Sequence, residues 1–184
     1  MSTVHSSQSP HRGALIAAGM LLGTGLGGFL DGIVLHQLLQ WHNVLSSRVA
    51  PLDFVTMKYN MFWDGVFHVF TWVITVVGVM MLWRAGKRPD VPWSTPAFLG
   101  SLALGWGCFN IVEGIIDHQI LGLHHVRPGE HMLAWDIGFL VFGALLVVVG
   151  FGLIGVARPK KYGERTDATE GQGLSTRRRA LQSR

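Results

Sequence analysis

Residues 137–157 read Ile-Gly-Phe-Leu-Val-Phe-Gly-Ala-Leu-Leu-Val-Val-Val-Gly-Phe-Gly-Leu-Ile-Gly-Val-Ala, 21 positions without a charge. A helix needs about 20 mostly apolar residues to cross a hydrocarbon layer of about 30 Å, so this stretch reads as a membrane span. Working outward from it, Gly13–Leu30, Gly65–Trp83 and Val91–Val112 are uncharged for 18, 19 and 22 residues. Four such blocks in 184 residues predict transmembrane helices at 14–41, 60–84, 94–122 and 132–157. Charged residues make up only 14% of the chain, against about 25% in soluble domains. A soluble helical protein would also need polar outer faces, and these blocks are apolar nearly all round. The fold expected is all-α: a polytopic membrane protein with a four-helix transmembrane bundle in a lipid bilayer.

Charge is concentrated at one end. Residues 158–184 hold eight Lys/Arg and three Asp/Glu, while the rest of the chain holds seven and eight. The folded part is therefore nearly neutral, which excludes nucleic-acid binding by a basic face. The expected division is a 1–12 N-terminal segment, a 13–158 membrane domain and a disordered basic 159–184 tail. Arg12, Arg84, Lys87, Arg88, Arg158, Lys160 and Lys161 flank one side of the spans, and only Arg48, Lys58 and Arg127 the other. The positive-inside rule then places both termini in the cytoplasm of a multi-pass protein of the bacterial inner membrane. The single cysteine, Cys108, excludes a disulfide framework and any Cys-rich zinc or iron–sulfur site.

Asp31-Gly-Ile-Val-Leu-His36-Gln37-Leu-Leu-Gln-Trp-His42 aligns without gaps on Glu113-Gly-Ile-Ile-Asp-His118-Gln119-Ile-Leu-Gly-Leu-His124, at an offset of 82. A shorter echo joins Trp63-Asp64-Gly-Val-Phe67 to Trp135-Asp136-Ile-Gly-Phe139 at an offset of 72. The two halves, 14–84 and 94–157, thus read as parallel helix-pair repeats related by an axis along the membrane normal.

Asp31, Asp64, Glu113, Asp117 and Asp136 fall in these spans, with no Lys or Arg between the span ends. An ionised Asp at the bilayer centre costs about 2.5–3.5 kcal/mol even on lenient scales. The partners on offer are histidines. A rise of about 1.5 Å per residue puts His36, Asp64, His68, His118 and Asp136 in one layer, to which every helix contributes. These five are the expected metal ligands. Asp31, Glu113 and Asp117 are expected to orient them through hydrogen bonds, with Gln37 and Gln119 bonding across helices. His42, His124, His125 and His131 are expected further out, as a separate entry or exit cluster.

A mixed imidazole and carboxylate shell suits Fe, Mn or Zn. Copper(II) also accepts imidazole, whereas copper(I) would prefer sulfur ligands that do not cluster here. His36 and His118, at matching depth on two helices, alternatively suit axial ligation of a b-type haem. A proton or ion pathway uses the same residue types, and a structural subunit with a polar interior is the remaining alternative. No nucleophile–base pair, phosphate loop or nucleotide fingerprint is present. Catalysis would therefore run only through a bound metal or redox centre. The sequence leaves self-association open.

The Gly28-Phe-Leu-Asp-Gly-Ile-Val-Leu-His-Gln-Leu-Leu-Gln-Trp-His42 segment, with Trp63–His68 and Asn110–His125, resembles a bacterial family of four-helix membrane proteins of unknown function. The resemblance covers about residues 12–158. It implies the topology above and companionship with respiratory oxidase assembly or other metal-handling membrane proteins. It implies no activity.

Overall fold

The computed structural model describes residues 12–157. The N-terminal segment before Arg12 and the basic tail lie outside the described residues. Four helices are long and apolar enough to cross a membrane. They are α1 (Gly13–Asp31), α2 (Phe54–Gly86), α3 (Thr95–Glu113) and α4 (Met132–Val156). α1 continues into a π-helical turn at Gly32–Leu38, and α3 into another at Gly114–Ile120.

Three helix boundaries differ from the sequence expectation by two residues or more for identifiable reasons. α2 begins six residues earlier because Asp53 and Thr56 form a capping box, in which each side chain takes the other's backbone N–H. The first and third spans end three and two residues early, at Leu38 and Ile120. The chain breaks there because Gln40 and Gly122 both adopt left-handed backbone, each at φ 52°. The Trp41 N–H then closes on the Leu35 carbonyl and the Leu123 N–H on that of Asp117, at 2.9 and 2.8 Å. These are the wide closing bonds of a helix that stops at a left-handed residue. Positions 82 apart therefore take the same backbone course through α1 and α3, the π turns and the stops.

The helices form a row in the order α2, α1, α3, α4, and α2 does not touch α4. The single layer expected to draw on every helix is accordingly divided between two half-sites, because the outer helices stand on opposite flanks of the central pair. α1 and α3 have 44% of their spanning windows buried, and the outer helices only 11%. Small residues explain the tight centre. A methyl group at Gly23 would run into the Leu102 backbone, and one at Gly105 into the Met20 carbonyl. The α3–α4 seam is equally close, with Gly107 against Gly143 and Gly100 against Gly150. The end away from the π turns is closed by Leu15, Ala85 and Val91, with Phe98 packed on them.

This packing makes the α1–α3 seam intolerant of added volume. Gly105→Val should lower unfolding free energy in detergent by about 1–3 kcal/mol. Gly152→Ala, where an added methyl meets nothing within 4 Å, should leave it within about 0.5 kcal/mol.

Candidate metal centre

The π turns and the loops after them carry the polar residues into the row. A π turn widens the helix, and each of these ends with a buried histidine facing inward, His36 in the first and His118 in the second. The chain then turns back, so His42 and His124 lie beside them rather than further out. Ring centroids are 4.5 Å apart for His36–His42 and 4.7 Å for His118–His124. His42 and His124 stack on each other at 4.5 Å with an interplanar angle of 11°. The expectation of a separate outer cluster thus fails for these two, because the uniform helical rise it assumed stops at Leu38 and Ile120.

Each half fixes the other's imidazole. His42 Nδ1–H donates to the Val126 carbonyl at 2.8 Å, and His124 Nδ1–H to the Val44 carbonyl at 3.0 Å. The same two residues are held through their N–H groups by the outer helices. The Val44 N–H donates to Asp64 at 2.9 Å and the Val126 N–H to Asp136 at 3.0 Å. Asp64 also accepts from the Asn43 amide at 2.6 Å and His36 Nδ1 at 3.1 Å. Asp136 accepts from His125 Nδ1 at 2.7 Å and Gln119 at 3.3 Å, with His118 Nδ1 at 3.6 Å. Asp64 and Asp136 therefore anchor loops, and nearly all their bonding capacity is used on them.

Asp31 and Glu113 are placed differently. Asp31 Oδ2 lies 3.2 Å from His36 Nε2, near but without hydrogen-bond alignment, and Glu113 Oε1 lies 3.6 Å from His124 Nε2. Six buried atoms here have no hydrogen-bond partner: Asp31 Oδ2, His36 Nε2, His42 Nε2, Glu113 Oε2, His118 Nδ1 and His124 Nε2. A buried polar atom left unsatisfied costs about 1–3 kcal/mol, so one such cluster is a large local expense. Two groups have donor atoms within 4.8 Å of one another: His36, His42 and His124, and Glu113, His118 and His124.

Other residues singled out in the sequence stand apart from these groups. His68 turns its Nδ1 onto the Asp64 backbone carbonyl at 2.7 Å, as the i,i+4 geometry of α2 allows. Its ring packs on Phe29 and Phe67. His131 is exposed in left-handed backbone before α4. Asp117 is half-buried, and Gln37 is exposed. Over the second half, Arg127 stacks on Trp41 and Trp135, with 5.2 and 5.7 Å to the ring centroids.

His42 and His124 lie outside the spans, and burial first of all disfavours their charged forms. The pKa of His42 is pushed down to about 2 by that burial, then by repulsion from His124 and His36, despite the Val126 carbonyl. That of His124 is also lowered, with the Val44 carbonyl opposing. The unfolded chain takes up these protons below about pH 6.5 while the folded chain refuses them, so stability rises with pH across that interval. Protein kept free of added metal should lose about 2 kcal/mol through His42 alone between about pH 6.5 and about pH 5. A thermal midpoint in detergent that stays flat or climbs on acidification would refute the neutral assignment.

No curated protein and no solved structure matches the chain. The family described as "Predicted membrane protein (DUF2243)" matches residues 18–156, and the chain belongs to that family.

Proposed function

We propose that the protein is a membrane-embedded metal protein holding a divalent first-row transition ion, of the Zn2+, Fe2+, Mn2+ or Cu2+ kind, at His36, His42 and His124. The observation that carries this reading is the state of the three rings. Each commits Nδ1 to an oxygen, on Asp64, Val126 and Val44 respectively. Each is left with a buried Nε2 that makes no hydrogen bond, that of His36 lying 3.2 Å from Asp31 Oδ2 and that of His124 3.6 Å from Glu113 Oε1. Fixing one ring nitrogen by a hydrogen bond and leaving the other bare is how proteins orient metal-binding imidazoles. Asp31 is the fourth donor. A tetrahedral ion with bonds of about 2.0–2.1 Å would draw the donors to about 3.4 Å apart, a contraction that ring rotations can supply.

The roles of the carboxylates are then the reverse of the sequence expectation. Asp31 and Glu113, with unsatisfied oxygens, face the ion, and Asp64 and Asp136 orient the rings and loops. A haem between His36 and His118 is disfavoured, because the stacked His42 and His124 rings stand between them. A proton path across the membrane is disfavoured too. Among the described residues, Gly13–Leu30 and Thr95–Val112 carry no titratable group except Cys108 along the central pair. The positive-inside asymmetry puts the site near the outer face of a bacterial inner membrane, in reach of respiratory or metal-handling membrane proteins.

Elemental analysis of the detergent-purified chain, loaded with each ion in turn and desalted, tests the reading. Wild type should retain metal, His42→Ala and His124→Ala should lose it, and His68→Ala should keep it. Asp64→Asn should weaken affinity about 10–100-fold. Wild type that retains no ion, or unchanged content in both His42→Ala and His124→Ala, overturns the assignment.

A further inference from the structure

Resting on that reading, we infer that the centre is dinuclear: a second divalent transition ion sits at Glu113 and His118, beside the first and bridged to it through Glu113. The unpartnered atoms outnumber what one ion can use. A tetrahedral site takes four donors, and His36, His42, His124 and Asp31 supply them. Glu113 Oε2 and His118 Nδ1 remain, both buried and without a hydrogen bond, the latter 3.6 Å from Asp136 Oδ1. They belong to the second close group, Glu113, His118 and His124.

The two groups share His124, and its Nδ1 is committed to the Val44 carbonyl. Its one free nitrogen can serve one ion only, so the second needs a donor reaching from the first. Glu113 has that form. One oxygen lies 3.6 Å from His124 Nε2, and the other is unpartnered. A carboxylate spanning two ions this way adds a fifth donor to the first ion, which is then five-coordinate, a number zinc sites also adopt. It also matches the separation of about 3.5–4 Å common to two-metal sites. The donor inventory also divides evenly along the chain. Asp31, His36 and His42 stand 82 positions before Glu113, His118 and His124, so each half brings one carboxylate and two imidazoles. Four histidines and two carboxylates suffice for two ions once Glu113 is shared and solvent completes the shells.

The test is zinc stoichiometry on the full chain in detergent micelles, stripped with chelator, saturated with Zn2+ and desalted. Wild type should retain two zinc ions per chain. Glu113→Gln and His118→Ala should each retain one, eluting as monodisperse as wild type, and His131→Ala should retain two. One ion in wild type overturns the second position while leaving the first intact. None in wild type overturns the underlying reading as well. Two ions in both Glu113→Gln and His118→Ala, or a loss of one in His131→Ala, also refutes the proposed location. Because the wild-type count decides by itself, a variant that fails to fold does not remove the test.

Discussion

The arrangement depends on a reciprocal exchange between the two loops at one end of the row. Val44 and Val126 each give their N–H to a buried carboxylate of an outer helix and their carbonyl to a histidine of the opposite half. Each loop is thereby pinned at both polar groups of one residue, and each pin carries an imidazole inward. Further ties run the same way, from the Ser47 N–H to the Leu123 carbonyl at 2.9 Å and from Arg48 to the Leu121 carbonyl. Without Asp64 and Asp136 the loops would lose their anchors, and His42 and His124 would have no reason to leave water.

A polar interior of this kind is affordable only inside an otherwise apolar frame. The outer helices present Val, Phe, Leu and Met to lipid. The central pair is closed below the site by glycines, so the carboxylates and imidazoles are confined to one end. Thr24 spends its hydroxyl on the Gly105 carbonyl across the α1–α3 seam at 3.1 Å, as a lone polar group in a span must. The polar side chains of the site are thus buried together at one end of a tightly packed helix row. In such a place polar atoms without a hydrogen bond are costly.

The four spans were legible because composition alone sets them, and the pairing of His36 with His118 was legible from the offset of 82. The start of α2 was not, since Asp53 and Thr56 announce a helix through a cap in a stretch with no marked periodicity. The position of His42 was misjudged for a different reason. Depth follows from helical rise only while the helix lasts, and Gln40 ends it with a backbone geometry that its side chain does not advertise, whereas Gly122 does. The acids without a basic partner were legible in the sequence, yet two of them, Asp64 and Asp136, are satisfied by amide and imidazole N–H groups. An acid's need for a partner can be read from sequence, but whether N–H groups of a distant loop supply it cannot.

The first helix and π turn of each half follow the same backbone course, but the loops after them carry different side chains onto Asp64 and Asp136. Asn43 on Asp64 is replaced at the equivalent position by His125 on Asp136. Leu45 is replaced by Arg127, whose guanidinium rests on Trp41 and Trp135. The Trp41 that completes this stack comes from the first half, and its own equivalent in the second is Leu123. Arg127 and the two indoles thus form one stack in which both halves take part. The anchoring carboxylates of the two halves therefore stand in different surroundings, Asp64 beside the Asn43 amide and Asp136 beside the His125 imidazole, with a cation–indole stack at the neighbouring Trp135.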